Sequence, residues 1–376
     1  MKKIVIIAAA IAALAACSKN EAELKTNAPI SFAPNALQTK ALILPDGNAN
    51  TIAAFPENES FNVFAFADLD GTGTEHVTDY AHPLMSNVNI SKQGGDWKAT
   101  TGTYLWPATG TVDFYGYYWG AQTNATVEFV SNSEPKGLSF TGIHLGTAVG
   151  SQNDPLVAST LAQIASSKPT VGLVFKHITS QIAVTAFDAT TTASLQNKIS
   201  IKSVVFKNMN TSGDYREGTT VGKGEWSNVN TTANFTSFSG NEVLSTTESY
   251  LSSGSFAAAI DNSAAFVVIP VDITTATGQC IEVTYSIAAY TINGFDYPAT
   301  PNQTVTIPLY GKVSANKFQN GKRYVFHIGI SLDGANNEIM FSPVVEGWDT
   351  EDIDGITIDA VKAELMYCSR IDCLYK

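Results

Sequence analysis

Cysteine is scarce in this chain of 376 residues: there are four, Cys17, Cys280, Cys368 and Cys373. They are too few and too scattered for the disulfide framework that holds small secreted domains together. Charge is sparse as well, at 15% of residues, with an acidic balance of −12. That balance excludes nucleic acid as a partner, and electrostatic binding to anionic lipid. Beyond Ala16, no apolar run approaches the roughly 18 residues that a membrane-spanning helix needs. The five histidines (His76, His82, His144, His177 and His327) show no HExxH or other paired spacing. No glycine-rich phosphate loop and no G-x-S-x-G elbow is present, so nothing points to an enzyme, a metal or a cofactor. Asp68-Leu69-Asp70-Gly71 and Asp352-Ile353-Asp354-Gly355 lack the rest of a calcium-loop pattern and read as turns.

The N-terminus is the most specific stretch that is present. Lys2 and Lys3 precede an uncharged apolar run, Ile4 to Ala16, and then Cys17. This is the layout of a signal peptide over residues 1–16. Leu14-Ala15-Ala16-Cys17 reads as a lipobox, with Cys17 the acylated first residue of the exported chain. A plain secretory signal also ends in small residues, so the cysteine is the discriminating feature. The lipid on Cys17 is then the membrane anchor, since several acyl chains hold firmly where one is marginal. Residues 17–27 form a polar tether.

From Ala28 onward the apolar residues recur at period two. Ala28 to Phe32 is the first strand candidate. Val112 to Trp119 is aromatic on both faces, as expected of a strand covered on each side. Packing accounts for Tyr115 and Tyr117 better than stacking on sugars does. Ser159 to Lys168 is the one convincing place for a short helix, ended by Pro169. A domain boundary there divides the chain into 28–168 and 169–376, the second part carrying a tail. Val171, Leu173 and Phe175 are apolar at odd positions, whereas Ile178, Ile182, Val184 and Ala186 are even. That change of phase near Lys176-His177 suggests a β-bulge in one long strand. His177 and His327 sit inside strand patterns as structural residues. Cys280 falls on the polar face of Cys280 to Ile287, while Cys368 and Cys373 either pair across a tight turn or remain free thiols. Polar Thr/Ser/Asn/Gly-rich loops separate the strands, the longest running from Asn208 to Ser255, where binding variation fits best. Many short strands with almost no helix mean an all-β chain of β-sandwiches.

Several ordered motifs resemble the fimbrillin family of Bacteroidales, the lipoprotein precursors of type V pili and their tip or anchor relatives. They begin with the lipobox at Cys17, Ile30-Ser31-Phe32, Thr39-Lys40-Ala41 and Tyr104-Leu105-Trp106-Pro107 running into Val112 to Tyr118. They continue with Asp154-Pro155-Leu156-Val157-Ala158, Leu173-Val174-Phe175-Lys176-His177 with Ser180-Gln181-Ile182, Asn320-Gly321-Lys322-Arg323-Tyr324 and Phe341 to Trp348. The resemblance implies two tandem transthyretin-like β-sandwich domains, export as a lipoprotein, and display outside the outer membrane among other fimbrial subunits. In pilins of this kind a trypsin-like protease cuts beyond the first strand, and a neighbour's strand fills the vacated groove. Carried onto this chain, Ile30 and Phe32 fill the groove. Lys40, the only Lys or Arg between Lys25 and Lys92, is the best candidate for the cut site. Ile356 and Ile358, followed by Val361, Leu365 and Met366, are the candidate donor strand. A structural fimbrial subunit is therefore the first reading. Its rivals are a tip or accessory adhesin of the same family and a monomeric glycan-binding surface lipoprotein, each with a host or bacterial surface ligand.

Overall fold

Period-two patterning leaves the chain few ways to bury its apolar residues except on the faces of sheets, and strands dominate the fold. The structure, a computed structural model, describes residues 28–37, 52–68, 79–119, 125–149, 152–164, 170–252, 254–257, 265–333, 338–347 and 361–363. The first ten strands are β1 (Ser31–Leu37), β2 (Ile52–Ala54), β3 (Ser60–Asp68), β4 (Met85–Gln93), β5 (Asp96–Ala99), β6 (Thr111–Tyr118), β7 (Thr126–Val130), β8 (Gly137–His144), β9 (Leu156–Ile164) and β10 (Thr170–His177). There follow β11 (Ser180–Asp188), β12 (Ile199–Arg216), β13 (Glu225–Val243), β14 (Ser249–Ser252), β15 (Ser255–Ala257), β16 (Phe266–Val268) and β17 (Cys280–Ile287). The last are β18 (Tyr290–Ile292), β19 (Phe295–Tyr297), β20 (Thr300–Pro308), β21 (Lys322–Ser331), β22 (Glu338–Gly347) and β23 (Val361–Ala363).

An 8-stranded sheet runs β10-β9-β6-β3-β4-β5-β1-β2, and β1 also pairs with β10, so the sheet closes on itself. Its interior holds Phe32, Phe55, Phe61, Phe114 and Phe175 among other buried side chains. Two further sheets face each other as a sandwich. A 7-stranded sheet runs β15-β14-β11-β21-β22-β23 with β16 beside β11, and a 6-stranded sheet runs β20-β17-β12-β8-β7 with β13 beside β12. Between them lie Ile182, Val184, Phe326 and Ile328 from the first, and Ile201, Val204, Phe206 and Val283 from the second. A third core joins the closed sheet to the sandwich through Phe64, Phe66, Tyr115, Tyr117, Phe140 and Tyr215. β6 thus feeds Val112 and Phe114 to one core, and Tyr115 and Tyr117 to the other. The apolar residues of β17 are buried in alternation, and Cys280 is a half-buried free thiol on the other face.

Four expectations are corrected here. Ser159–Ile164 is strand, not helix, because β9 carries a bulge against β6 between the pairs Val112↔Gln163 and Phe114↔Thr160. The change of phase at Lys176-His177 is no bulge within one strand: β10 ends at His177, and β11 begins at Ser180 in another sheet. The span from Asn208 to Ser255 is mostly the long antiparallel ribbon of β12 and β13 rather than a loop. Its Thr, Asn and Ser side chains stand on exposed strand faces, where β-branched threonine is well suited. The sheets also do not divide at 168/169. β10 lies in the closed sheet, whereas β7 and β8, earlier in the chain, extend the sheet of β12.

The crossing between β10 and β11 is pinned by a buried carboxylate. Asp154 Oδ2 lies 2.6 Å from His177 Nδ1, and Asp154 Oδ1 accepts the Thr179 hydroxyl at 2.6 Å. A charge-assisted bond in a dry site is worth more than a neutral one, and its loss leaves buried donors unmet. Asp154→Ala is expected to destabilise the chain by about 2 kcal/mol in urea unfolding. A loss below about 0.5 kcal/mol, the surface-substitution range, would show that the crossing is held by packing alone.

Candidate functional site: the first strand and its slot

β1 is the strand that closes the first sheet, and its sequence explains why it fits there. Ile30, Phe32 and Pro34 alternate with Ser31, Ala33 and Asn35, so one edge-on row points inward. Ile30 and Phe32 are each 4% exposed, while Ala33 faces outward and is exposed. The Phe32 ring meets Phe61 edge-on at 6.0 Å and Phe114 at 5.8 Å between centroids. Edge-to-face pairs of this kind add to the area they bury. Trp106, itself buried, packs on Phe114 at 5.6 Å.

Backbone pairing holds β1 on both sides. It runs parallel to β10 in the register Ser31↔Thr170 through Ala36↔Phe175. On the other side Phe32 pairs with Trp97 of β5, and Asn35 to Leu37 pair with Ala54 to Ile52 of β2. Just before β1, Ile30 N donates to Tyr104 O at 2.8 Å, and Trp106 N donates to Ala28 O at 3.1 Å. Without β1, the β10 edge and the 104–106 edge would both present unpaired amides and carbonyls beside an apolar slot.

Of the residues singled out in the sequence, Ile30 and Phe32 come together in this slot. Cys17, Lys40, Ile356 and Ile358 lie outside the described residues, as do Cys368 and Cys373. Val361–Ala363, next to the expected donor, forms β23 and pairs with Phe341–Ile339 of β22 in the same chain. Tyr115 and Tyr117 are 7% and 8% exposed, so they form no open sugar platform. His327 contacts Glu248 and Thr185, all on side chains of the outer face of the 7-stranded sheet. Two partners of the slot escaped the sequence reading. Trp97 follows the Gly94-Gly95 turn, a hairpin signal, and β10 lies 139 positions away from β1, beyond any local pattern.

A fimbrillin-like family profile matches residues 39–348. None of the curated proteins matches in sequence. Among solved structures, a fimbrial protein from Bacteroides vulgatus is similar at a TM-score of 0.50 and 16% identity, over 85% of this chain and 99% of that one. A fimbrial assembly protein from Parabacteroides distasonis is similar at 0.36 and 14% identity, over 84% of this chain and 95% of that one. The fimbrial anchor protein from Porphyromonas gingivalis is similar at 0.33 and 12% identity, over 85% of this chain and 98% of that one. With the profile covering most of the chain, the protein belongs to the fimbrillin-like family.

Proposed function

We propose that the chain is a structural fimbrial subunit, built as two transthyretin-like sandwiches, that polymerises when its first strand is removed and replaced by a strand of the next subunit. The observation that carries this reading is β1 itself. It is a short, separable segment whose inward residues fill an apolar slot and whose backbone is paired on both sides. Such a segment can be exchanged for another strand of the same alternation with no other change in the sheet. Export as a lipoprotein acylated at Cys17 brings the chain to the outer membrane, and cleavage after Lys40 releases β1 with the lipid. Ile356 and Ile358 belong to the segment that supplies the incoming strand. The other partners are fimbrial subunits of the same kind.

The test is the N-terminus of protein sheared from cells, set beside the cell-bound fraction. Polymerising subunits should begin at Ala41 and run as a boiling-sensitive ladder, and Lys40→Ala should abolish both. Acylated Cys17 on all of the protein, with no ladder, would sink the polymer reading. It would leave a tip or accessory adhesin that keeps β1. One observation favours that second reading: the β18–β19 hairpin stands apart as its own two-stranded sheet, with Tyr290 stacked on Tyr297 and Phe295 71% exposed.

A further inference from the structure

β13 runs for 19 residues and, among the described residues, pairs only with β12, so its other edge borders no strand. A row of unpaired amides and carbonyls is a template for a further strand, and natural sheets blunt such rows with proline, charge, bulges or shortness. Other edges of this chain are blunted in these ways. β2, β15, β16, β18, β19 and β23 have three residues each. β7 has Glu128 at its centre, while β20 carries Pro301 and Pro308, and β22 carries Pro343. β13 has no proline, and from Trp226 to Asn241 it has no charged residue.

Irregularities in the β12–β13 ladder leave one regular run on β13. Ser227 to Thr231 takes four steps where Ser212 to Asp214 takes two, and Asn228 has a left-handed φ of 49°. From Thr231 to Thr236 the extra residues lie on β12 instead. There Phe206 to Met209 takes three steps against two from Ala233 to Phe235. Asn208 N, at that bulge, donates to Asn234 Oδ1 at 3.2 Å. Phe235 is fully buried and stacked on Phe266 at 4.7 Å, whereas Thr232, Asn234 and Thr236 are exposed. Thr231–Thr236 is thus a regular, uncharged edge with one apolar and one polar face.

We infer that this edge pairs with the same edge of a second copy of the chain, antiparallel about a twofold axis at Asn234. Opposite residues of an antiparallel pair share a face, so outward residues must meet outward ones. Centred on Asn234, Thr232 faces Thr236 of the second copy, Ala233 faces Phe235, and Asn234 faces Asn234. Threonine opposite threonine is a favourable cross-strand pair, and a small residue beside a ring leaves both room. Charge selects the occupant. A chain of net charge −12 repels its own copies, and this neutral run lets two of them approach without opposing like charges. The pairing extends the 6-stranded sheet across two molecules and leaves β1 in its slot, so it is independent of strand exchange.

Sedimentation equilibrium of the full chain tests it, with Cys17→Ser and Lys40→Ala present so that no lipid is attached and β1 is retained. From about 1 to 100 μM this parent should pass from monomer to dimer. Thr232→Lys with Thr236→Lys sets lysine opposite lysine twice and should weaken the dimer at least about tenfold. Thr232→Lys with Thr236→Glu sets opposite charges across the same register and should dimerise at least as tightly as the parent. All four substitutions fall on exposed side chains, and circular dichroism checks folding. A parent that stays monomeric, a two-lysine variant that dimerises like the parent, or a mixed-charge variant as weak as the two-lysine one would overturn the inference.

Discussion

Phe32→Ala should lower the unfolding free energy of the full-length chain by about 4 kcal/mol, the range for deleting a buried aromatic ring from a core that cannot collapse around the gap. The ring is held by Phe61 and Phe114 at right angles, and both are themselves fully buried, so the space left behind stays open. Ala33→Ser, on the outward face of the same strand, should change stability by less than about 0.5 kcal/mol. Urea unfolding of the two variants separates a strand that is anchored through its side chains from one that is merely paired. A chain that begins at Ala41 extends the test. It lacks β1, so a peptide spanning residues 28–37 should bind it, and the Phe32→Ala peptide should bind at least about a hundredfold more weakly. Equal affinity of the two peptides would mean that main-chain pairing alone fills the slot, and the proposed exchange would lose its source of register.

Glu217 should make the protein less stable as pH rises toward neutrality. Desolvation by burial raises its carboxyl from the ordinary 4.5 to about 7, against the smaller opposing effects of Gly222, Tyr215 and Arg216. The groups that face it are the Gly222 amide and the Tyr215 hydroxyl, with Arg216 turned away. Between those two pH values the folded chain holds a proton that the unfolded chain has released. Stability contributed by the neutral acid is therefore complete below about 4.5, falls as pH rises, and is gone above about 7. At about 1.4 kcal/mol for each pH unit of difference, the total is about 3 kcal/mol. Glu217→Gln keeps an acceptor for Gly222 but has no proton to lose. The difference in unfolding free energy between parent and variant should thus grow in favour of the variant across this window. Parallel curves would show that the carboxyl is hydrated in solution.

Much of the architecture could be read from residue order because burial here follows simple alternation. The inward pair Ile30 and Phe32, the two-faced β6 and the polar-face Cys280 each express period two without interruption. Where alternation broke, the reading failed for a definable reason. In β9, Val157, Leu161 and Ile164 fall at i, i+4 and i+7, a helical spacing. The bulge at Ala162 produces it by moving two apolar side chains onto the wrong face. The β12–β13 ribbon was hidden by its polarity, since only Met209, Tyr215, Phe235, Phe238 and a few others reach a core. The change of phase at His177 was visible, yet its cause was not. A bulge and a transfer between sheets leave the same mark in sequence, and Asp154 decides between them from 23 positions upstream. Glu217 was silent because an unpaired carboxyl is recognised only by what surrounds it.

The parallel union of β1 with β10 also sets an order in time. Ser31 and Thr170 are 139 positions apart, so β1, the first strand among the described residues, cannot dock until β10 has been synthesised. Closing so long a loop costs entropy that only the contacts of β1 repay, so the slot is expected to fill later than the local pairings around it. During that interval any passing strand of the right alternation competes with β1 for the seam. The rate at which β1 docks, set against the concentration of such strands, thus determines how many newly made chains are self-closed when folding ends.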